Sequence, residues 1–248
     1  MSKHEKLKSE VNPKYLNVDP LKESYRESII EHPDRTEAIK SKNIALLCID
    51  MQYLDAAPGH GVFADIAKST ISVESQEYYF KSLEKLVLPN VRRLQDCFRR
   101  HGLEVVHIRI QSLTRDGRDR SNGHKQLGLL APPGSKEAEF LELVAPADDE
   151  IVINKTASGV FTATNLYYVL KNLNIDSVWV TGVYTEECVS TTVRDASDLG
   201  FFVTLIEDGC TSVTPELHSF TIATLKDRYT RVIDTDAALT EIEKYIRA

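Results

Sequence analysis

No apolar run in this 248-residue chain approaches the ~20 residues needed to span a bilayer. The opening residues, MSKHEKLKSEV, are charged and have no apolar stretch behind them, so they do not read as a secretory signal. Positive charge is scarce: 30 Lys and Arg face 37 Asp and Glu, a formal net charge of −7. That balance weighs against a nucleic-acid partner or an anionic membrane surface. Cysteine is also sparse, with four residues at 48, 97, 188 and 210, no CxxC pair and no small-scaffold density. Reduced thiols in a cytoplasmic enzyme fit that usage better than a disulfide framework. Neither an internal repeat nor a linker-like stretch divides the chain. What is present is ordinary for a globular protein: 42% hydrophobic and 27% charged residues, enough for one large α/β domain or two small ones.

Residues 1 to 43 carry many charges and no strand-like run. Asp19-Pro20 suits a helix start, with Leu21, Tyr25 and Ile29 on one side and Pro33 closing it. The segment reads as a helical N-terminal arm, packed on its own subunit or on a neighbour in a homo-oligomer (a dimer or tetramer). From residue 44 to 248 strands alternate with helices. Ile44 to Ile49, Val105 to Ile110, Ile151 to Ile153, Val178 to Val180, Phe201 to Ile206 and Arg231 to Ile233 supply six apolar strand candidates. Between them fall helical patterns such as Leu83, Val87, Val91, Leu94 and Phe98, ending at His101-Gly102. Residues 53 to 71 read as loop, 136 to 143 as a short helix, and 111 to 134 as a long polar loop of the kind that closes over binding sites. The economical architecture is an α/β parallel sheet with helices on both faces.

Three residues each follow the carboxyl end of a predicted strand: Asp50, Lys155 and Cys188. Open parallel sheets bind ligands there, where strand order reverses. Thr185 suits an N-cap with Glu186 and Glu187 behind it, which places Cys188 in the first turn of a helix. Such a position favours the thiolate, and its free N–H groups suit an oxyanion. Alone, each residue has a plainer reading. Cys188 is a small buried hydrophobe, Asp50 an Asx-turn residue, Lys155 a solvated surface lysine. Together they suit nucleophilic catalysis: a carboxylate takes the thiol proton, and a lysine keeps that carboxylate ionised. In a 3-2-1-4-5-6 strand order, Asp50 and Cys188 lie about 5 Å apart on neighbouring strands, whereas the strand of Lys155 lies about 10 Å from the first. The loop after it must then lean inward.

The stretches IALLCIDMQ, KTASGVFTATNL and VTGVYTEECVSTTVRDASDLGFFVTLIEDGCTS resemble the isochorismatase-like cysteine hydrolase family over roughly residues 44 to 233. The resemblance implies a Rossmann-like three-layer α/β/α fold with a six-stranded parallel sheet of order 3-2-1-4-5-6. It also implies a thioester-type intermediate on Cys188, Asp50 as general base and acid, and Lys155 as electrostatic support. A cis peptide at Val183-Tyr184 is implied as well, with the N–H groups of Tyr184 and Cys188 as oxyanion donors. Cys188 argues against a true isochorismatase, which acts on a vinyl ether without a cysteine. Nicotinamidases carry an Asp-x-His…His metal motif after the second strand, and here the text is HIRIQS. None of the histidines at 4, 32, 60, 101, 107, 124 and 218 is spaced i, i+2 or i, i+4 from another, so neither metal nor other cofactor is expected. The branch that remains cleaves carbamoyl, ureido or simple amide C–N bonds, like N-carbamoylsarcosine, ureidoacrylate or biuret hydrolases. A nicotinamidase-like enzyme and a catalytically silent binding or scaffold member are the alternatives.

Substrate contacts are expected from Arg109, Gln111 and Arg115 after the second strand and from His124 and Lys125 in the long loop. A basic group there suits a substrate carboxylate, and surface charge paired with Asp116 and Asp119 is the competing reading. Phe161 and Tyr184 are candidate pocket walls. A small molecule is the expected partner, with neither nucleic acid nor membrane.

Overall fold

Six strands form one parallel sheet in the order β3-β2-β1-β4-β5-β6, seen in a computed structural model that describes residues 21–65 and 69–246. They are β1 (Ile44–Ile49), β2 (Glu104–Ile110), β3 (Ile151–Lys155), β4 (Ser177–Gly182), β5 (Phe202–Cys210) and β6 (Arg231–Ile233). The central strands β1 and β4 are buried at every position, as continuous apolar strings should be when helices cover both faces. Side chains alternate across them. Ile44, Leu46, Cys48 and Trp179 enter one core, and Ala45, Leu47, Ile49, Val178 and Val180 enter the other.

Eleven helices are described. On the first face, α4 (Val73–Ser82) and α5 (Leu88–His101) are joined by a π-helical turn, Leu83–Val87, and α11 (Thr235–Tyr245) packs beside them through Ala238 and Ile242. The helix expected around Leu83 to Phe98 therefore begins ten residues earlier than its apolar spacing shows, because the π turn shifts the phase of the buried face. Gly102 closes α5 in the left-handed region at φ 62°, which glycine reaches without steric cost. The second face carries α7 (Val160–Ala163), α8 (Leu166–Asn172), α9 (Ser190–Asp198) and α10 (Pro215–Leu225). Their Val160, Leu166, Leu170, Val193, Ala196 and Ile222 fill the second core.

The remaining helices lie in stretches read less well. Of the expected arm, Asp19-Pro20 and the rest of residues 1–20 lie outside the described residues, as does the side chain of Ile29. Pro33 does not close a helix; it opens α2 (Pro33–Lys40) after α1 (Lys22–Ile29), at the first-turn position where a missing N–H is harmless. Arg35 of α2 is buried and donates to Thr204 Oγ1 at 3.2 Å and Val203 O at 3.0 Å, so this part packs on its own chain. The loop expected over 53 to 71 contains α3 (Tyr53–Ala56) and a 3-10 turn, Gly61–Phe63. The helix expected at 136 to 143 is two 3-10 turns, and the long loop holds α6 (Asn122–Gln126).

One ionic clamp ties β2 and α5 to the turn before β3. Glu150 accepts from Arg99 Nε at 2.7 Å and Nη2 at 2.9 Å, and from the Ala147 N–H at 2.9 Å; His107 Nε2 lies 2.9 Å away. Burial opposes the charge, yet these partners hold the carboxyl down at about 2. A carboxyl depressed on folding adds stability above its unfolded value near ~4.3 and loses it as pH falls toward the folded one. We expect Glu150→Gln to cost ~1–3 kcal/mol at pH 7 and to flatten the loss of stability between about pH 4.5 and 2. Urea denaturation across that range checks it, and an unchanged pH slope would contradict the clamp.

Candidate active site

The parallel register sets the site. Ile49 is level with Gly182 on β4, and Ile110 with Lys155 on β3, so the next residues of β1 and β4 leave the sheet side by side. At Gly182 the backbone runs so close that a Cβ would lie 2.1 Å from Ile49 O. Asp50 turns the chain out of β1 at φ 53°, a left-handed conformation that aspartate adopts more readily than most residues. Its N–H donates to Ile108 O at 2.9 Å.

Lys155 is the last residue of β3, not the first beyond it. Its long stem closes the two-strand gap. The ammonium lies 2.8 Å from Asp50 Oδ2, 3.2 Å from Cys188 Sγ and 3.2 Å from Ala157 O. All three side chains are buried, with Lys155 at 0% exposure. Burial opposes a charged lysine, but Asp50 and Cys188 outweigh it and hold the ammonium above its ordinary range. Burial likewise raises the Asp50 carboxyl, against the pull of Lys155.

The cysteine's setting differs from the expected one. Thr185–Val189 forms a π-helical turn ahead of α9, and Tyr184, not Thr185, occupies the N-cap position. The Thr185 hydroxyl instead shares a 2.8 Å hydrogen bond with His218 Nδ1. Nor is the thiol acidic at rest. Burial pushes it well above the usual range, Lys155 opposes, and Asp50 raises it further. A helix N-terminus works through its first free N–H groups, and here desolvation outweighs that help. The resting site is thus an ammonium–carboxylate pair with a neutral thiol beside it. The Val183–Tyr184 peptide is cis. Thr185, Glu187 and Val189 N–H groups are bonded to Thr211 O and Tyr184 O.

The other expected contacts divide. Gln111 and His124 are buried, with Gln111 Oε1 and His124 Nδ1 unbonded among the described residues. The Gln111 N–H donates to Lys155 O at 3.0 Å. Burial and the Lys155 charge keep the His124 imidazole below its ordinary pKa. Phe161 and Cys188 share the second core, and Tyr184 donates its hydroxyl to Asp55 O at 3.1 Å. Arg109 does not stand open to a ligand. It donates to Asn154 Oδ1 at 2.7 Å and Ala138 O at 2.8 Å and lies over Phe140. Arg115 and Lys125 are exposed, and Asp116 pairs with Arg118 rather than Arg115.

Sequence reasoning missed two groups. Asp55, in a stretch read as loop, is 2% exposed with Oδ2 unbonded. Its signal was a second acid one short turn after Asp50. Gln52, quoted within IDMQ, braces that turn: its amide donates to Ile110 O at 2.9 Å and Glu137 O at 2.8 Å and accepts from the Ile110 N–H at 2.6 Å.

Replacing Lys155 by Met should leave the Asp50 carboxyl buried without its cation, costing about 3–5 kcal/mol at pH 8. A carboxyl raised above its unfolded value destabilises the fold when pH exceeds that value. The variant should therefore regain stability as pH falls from 8 to 5, where Asp50 takes up a proton. Denaturant midpoints read this, and a pH-independent loss would place the carboxyl elsewhere.

The Isochorismatase domain model matches residues 44–237. N-carbamoylsarcosine amidase of Arthrobacter sp. is 29% identical over 161 residues, covering 62% of this chain and 60% of that protein. The ureidoacrylate amidohydrolase of Acinetobacter baylyi is 25% identical over 210 residues, covering 78% and 81%. A crystal structure of a cysteine hydrolase from Pseudomonas syringae superposes with a TM-score of 0.66 at 20% identity, covering 82% of this chain and 94% of that one. With its six-stranded parallel sheet and a domain match across most of its length, the chain belongs to the isochorismatase family, whose members among its relatives are hydrolases.

Proposed function

We propose that this protein is a metal-independent cysteine amidohydrolase that cleaves the C–N bond of a small ureido, carbamoyl or amide compound. One observation carries the reading: a single buried ammonium lies 2.8 Å from Asp50 and 3.2 Å from the Cys188 sulfur. The amidase names of two relatives support the bond type.

In the reaction, the Cys188 sulfur attacks the substrate carbonyl while its proton passes to Asp50. A C–S bond forms and the carbonyl oxygen becomes an oxyanion, received by the N–H groups of Tyr184 and Cys188. Among the described residues no acceptor is bonded to the Tyr184 N–H, which leaves it for this task. The oxyanion collapses, the C–N bond breaks, and the departing nitrogen takes the proton from Asp50, leaving as ammonia or an amine. Water, deprotonated by Asp50, then attacks the acyl or carbamoyl enzyme and restores the thiol. Lys155 stabilises sulfur as its negative charge develops, and it keeps Asp50 ionised between steps. Because the thiol is neutral at rest, proton transfer accompanies attack rather than preceding it. No step calls for a metal. Among the described residues, one group of three potential ligands converges, Cys97, His101 and Glu243. It lies on α5 and α11 at the opposite end of the strands, where Glu243 already accepts from Arg100 at 2.9 Å.

Ammonia release should be measured with ureido acids, biuret, carbamoyl amino acids, formamides and nicotinamide. Turnover is expected in the linear ureido or amide group, together with a covalent adduct on Cys188 in the intact mass. Cys188→Ala should abolish turnover while leaving the fold intact by circular dichroism. Asp50→Asn should lower kcat by about 10²–10⁴-fold and shift Cys188 alkylation to higher pH. Near-wild-type activity in the Cys188 variant would remove it as nucleophile. An adduct-free enzyme across the whole panel would favour a silent binding member.

A further inference from the structure

Asp55 is a buried carboxyl that the reaction above does not use. It belongs to the four-residue α3, and its main-chain carbonyl is fixed from two sides: Tyr79 donates its hydroxyl at 2.8 Å and Tyr184 at 3.1 Å. Those rings lie 5.3 Å apart, and Tyr79 is itself fully buried against Phe63. The backbone of Asp55 is therefore held rigidly while its side chain is not: Oδ2 has no hydrogen-bond partner among the described residues. A buried carboxylate oxygen left unbonded is unfavourable unless a ligand or water completes it. The groups that act on this carboxyl are Asp50, Lys155 and Glu187, and it in turn acts on Cys188. The bond from the Tyr184 hydroxyl to the Asp55 carbonyl ties α3 to the residue that caps the turn carrying Cys188.

The charges around that sulfur are lopsided. Besides Asp50 and Asp55, Glu187 comes from the residue before Cys188 and accepts from Ser158 Oγ at 2.8 Å. Lys155, the one buried lysine among the described residues, is already divided between Asp50, Cys188 and Ala157. Of the basic groups expected at the substrate, Arg109 is committed to Asn154 and Ala138, and Arg115 and Lys125 are exposed on the long loop. A substrate carboxylate beside the scissile bond would meet these three acids, an arrangement that binding sites use to reject a ligand. An uncharged group rich in N–H finds an open acceptor.

We propose that the Asp55 carboxyl is the specificity-determining contact of this site, accepting N–H groups of an uncharged amide or ureide, so that substrates bearing a carboxylate next to the scissile carbonyl are disfavoured. This deepens the amidohydrolase reading and rests on Cys188 as the nucleophile.

Alkylation tests this without a known substrate. Iodoacetamide and iodoacetate deliver nearly the same carbon to sulfur, one with an uncharged carboxamide and the other with a carboxylate. Rates at Cys188 are read by peptide mass mapping and divided by those of glutathione. Wild-type protein should favour iodoacetamide at least tenfold beyond glutathione. Methyl methanethiosulfonate, small and without N–H groups, reports the reactivity of the thiol in each variant. Relative to it, Asp55→Leu should lose most of the carboxamide preference, and Asp55→Asn, which keeps an acceptor and supplies a donor, should retain it. Equal normalised rates in wild type would overturn the inference, as would an undiminished preference in Asp55→Leu. Equal rates in wild type overturn the inference even if the leucine variant fails to fold, and Asp55→Ser then takes that variant's place. Absence of labelling by all three reagents would instead overturn Cys188 as nucleophile, and this inference with it.

Discussion

A lysine ammonium with no exposure to solvent is the constraint on which the rest depends. Removing such a charge from water costs several kcal/mol, and only well-placed partners offset it. Here the offset comes from Asp50, the Cys188 sulfur and the Ala157 carbonyl together, one partner from each of three loops at one end of the sheet. The ammonium therefore fixes the relative positions of those loops. The thermodynamic need to satisfy Lys155 and the chemical need to set a base beside a nucleophile are met by the same atoms. A buried ion pair of this kind is weak evidence for stability and stronger evidence for function.

The fold supplies the precision. Parallel pairing of β1 with β4 brings their ends together, and the close approach at Gly182 leaves no room for a side chain between them. Beyond β1, Asp50, Gln52 and Asp55 come from one short stretch and do different work. Asp50 faces the ammonium, Gln52 stitches the turn to β2 and to the Glu137 carbonyl, and Asp55 is pinned by two tyrosine hydroxyls. An Asp50 carboxyl held this way against Lys155 is preorganised, so little reorganisation is left to oppose the reaction.

Much of this was legible in the sequence. Continuous apolar runs marked the six strands, and the rule that parallel sheets bind at their carboxyl ends singled out Asp50, Lys155 and Cys188. What stayed hidden depends on tertiary context. Periodicity cannot show the π turns at 83–87 and 185–189, because each inserts a residue into an otherwise regular pattern. The acidity of Cys188 was misjudged for a related reason. Helix position is visible in sequence, but desolvation is not, and desolvation wins. Arg109 carried a charge that suits a substrate, yet Asn154, Ala138 and Phe140 engage it, and none of these is adjacent to it in the chain. Asp55 was passed over because α3 is too short to have a pattern.

The central claim is that sulfur rests as a thiol beside an ionised pair and gives up its proton only as it attacks. Ultraviolet thiolate absorbance, taken as wild type minus Cys188→Ser and titrated with pH, tests this most directly. The account expects no thiolate step from Cys188 at or below the ordinary thiol value near ~8.5. A Cys188 thiolate already formed at neutral pH would contradict it, and would show that Lys155 pairs with sulfur rather than with Asp50.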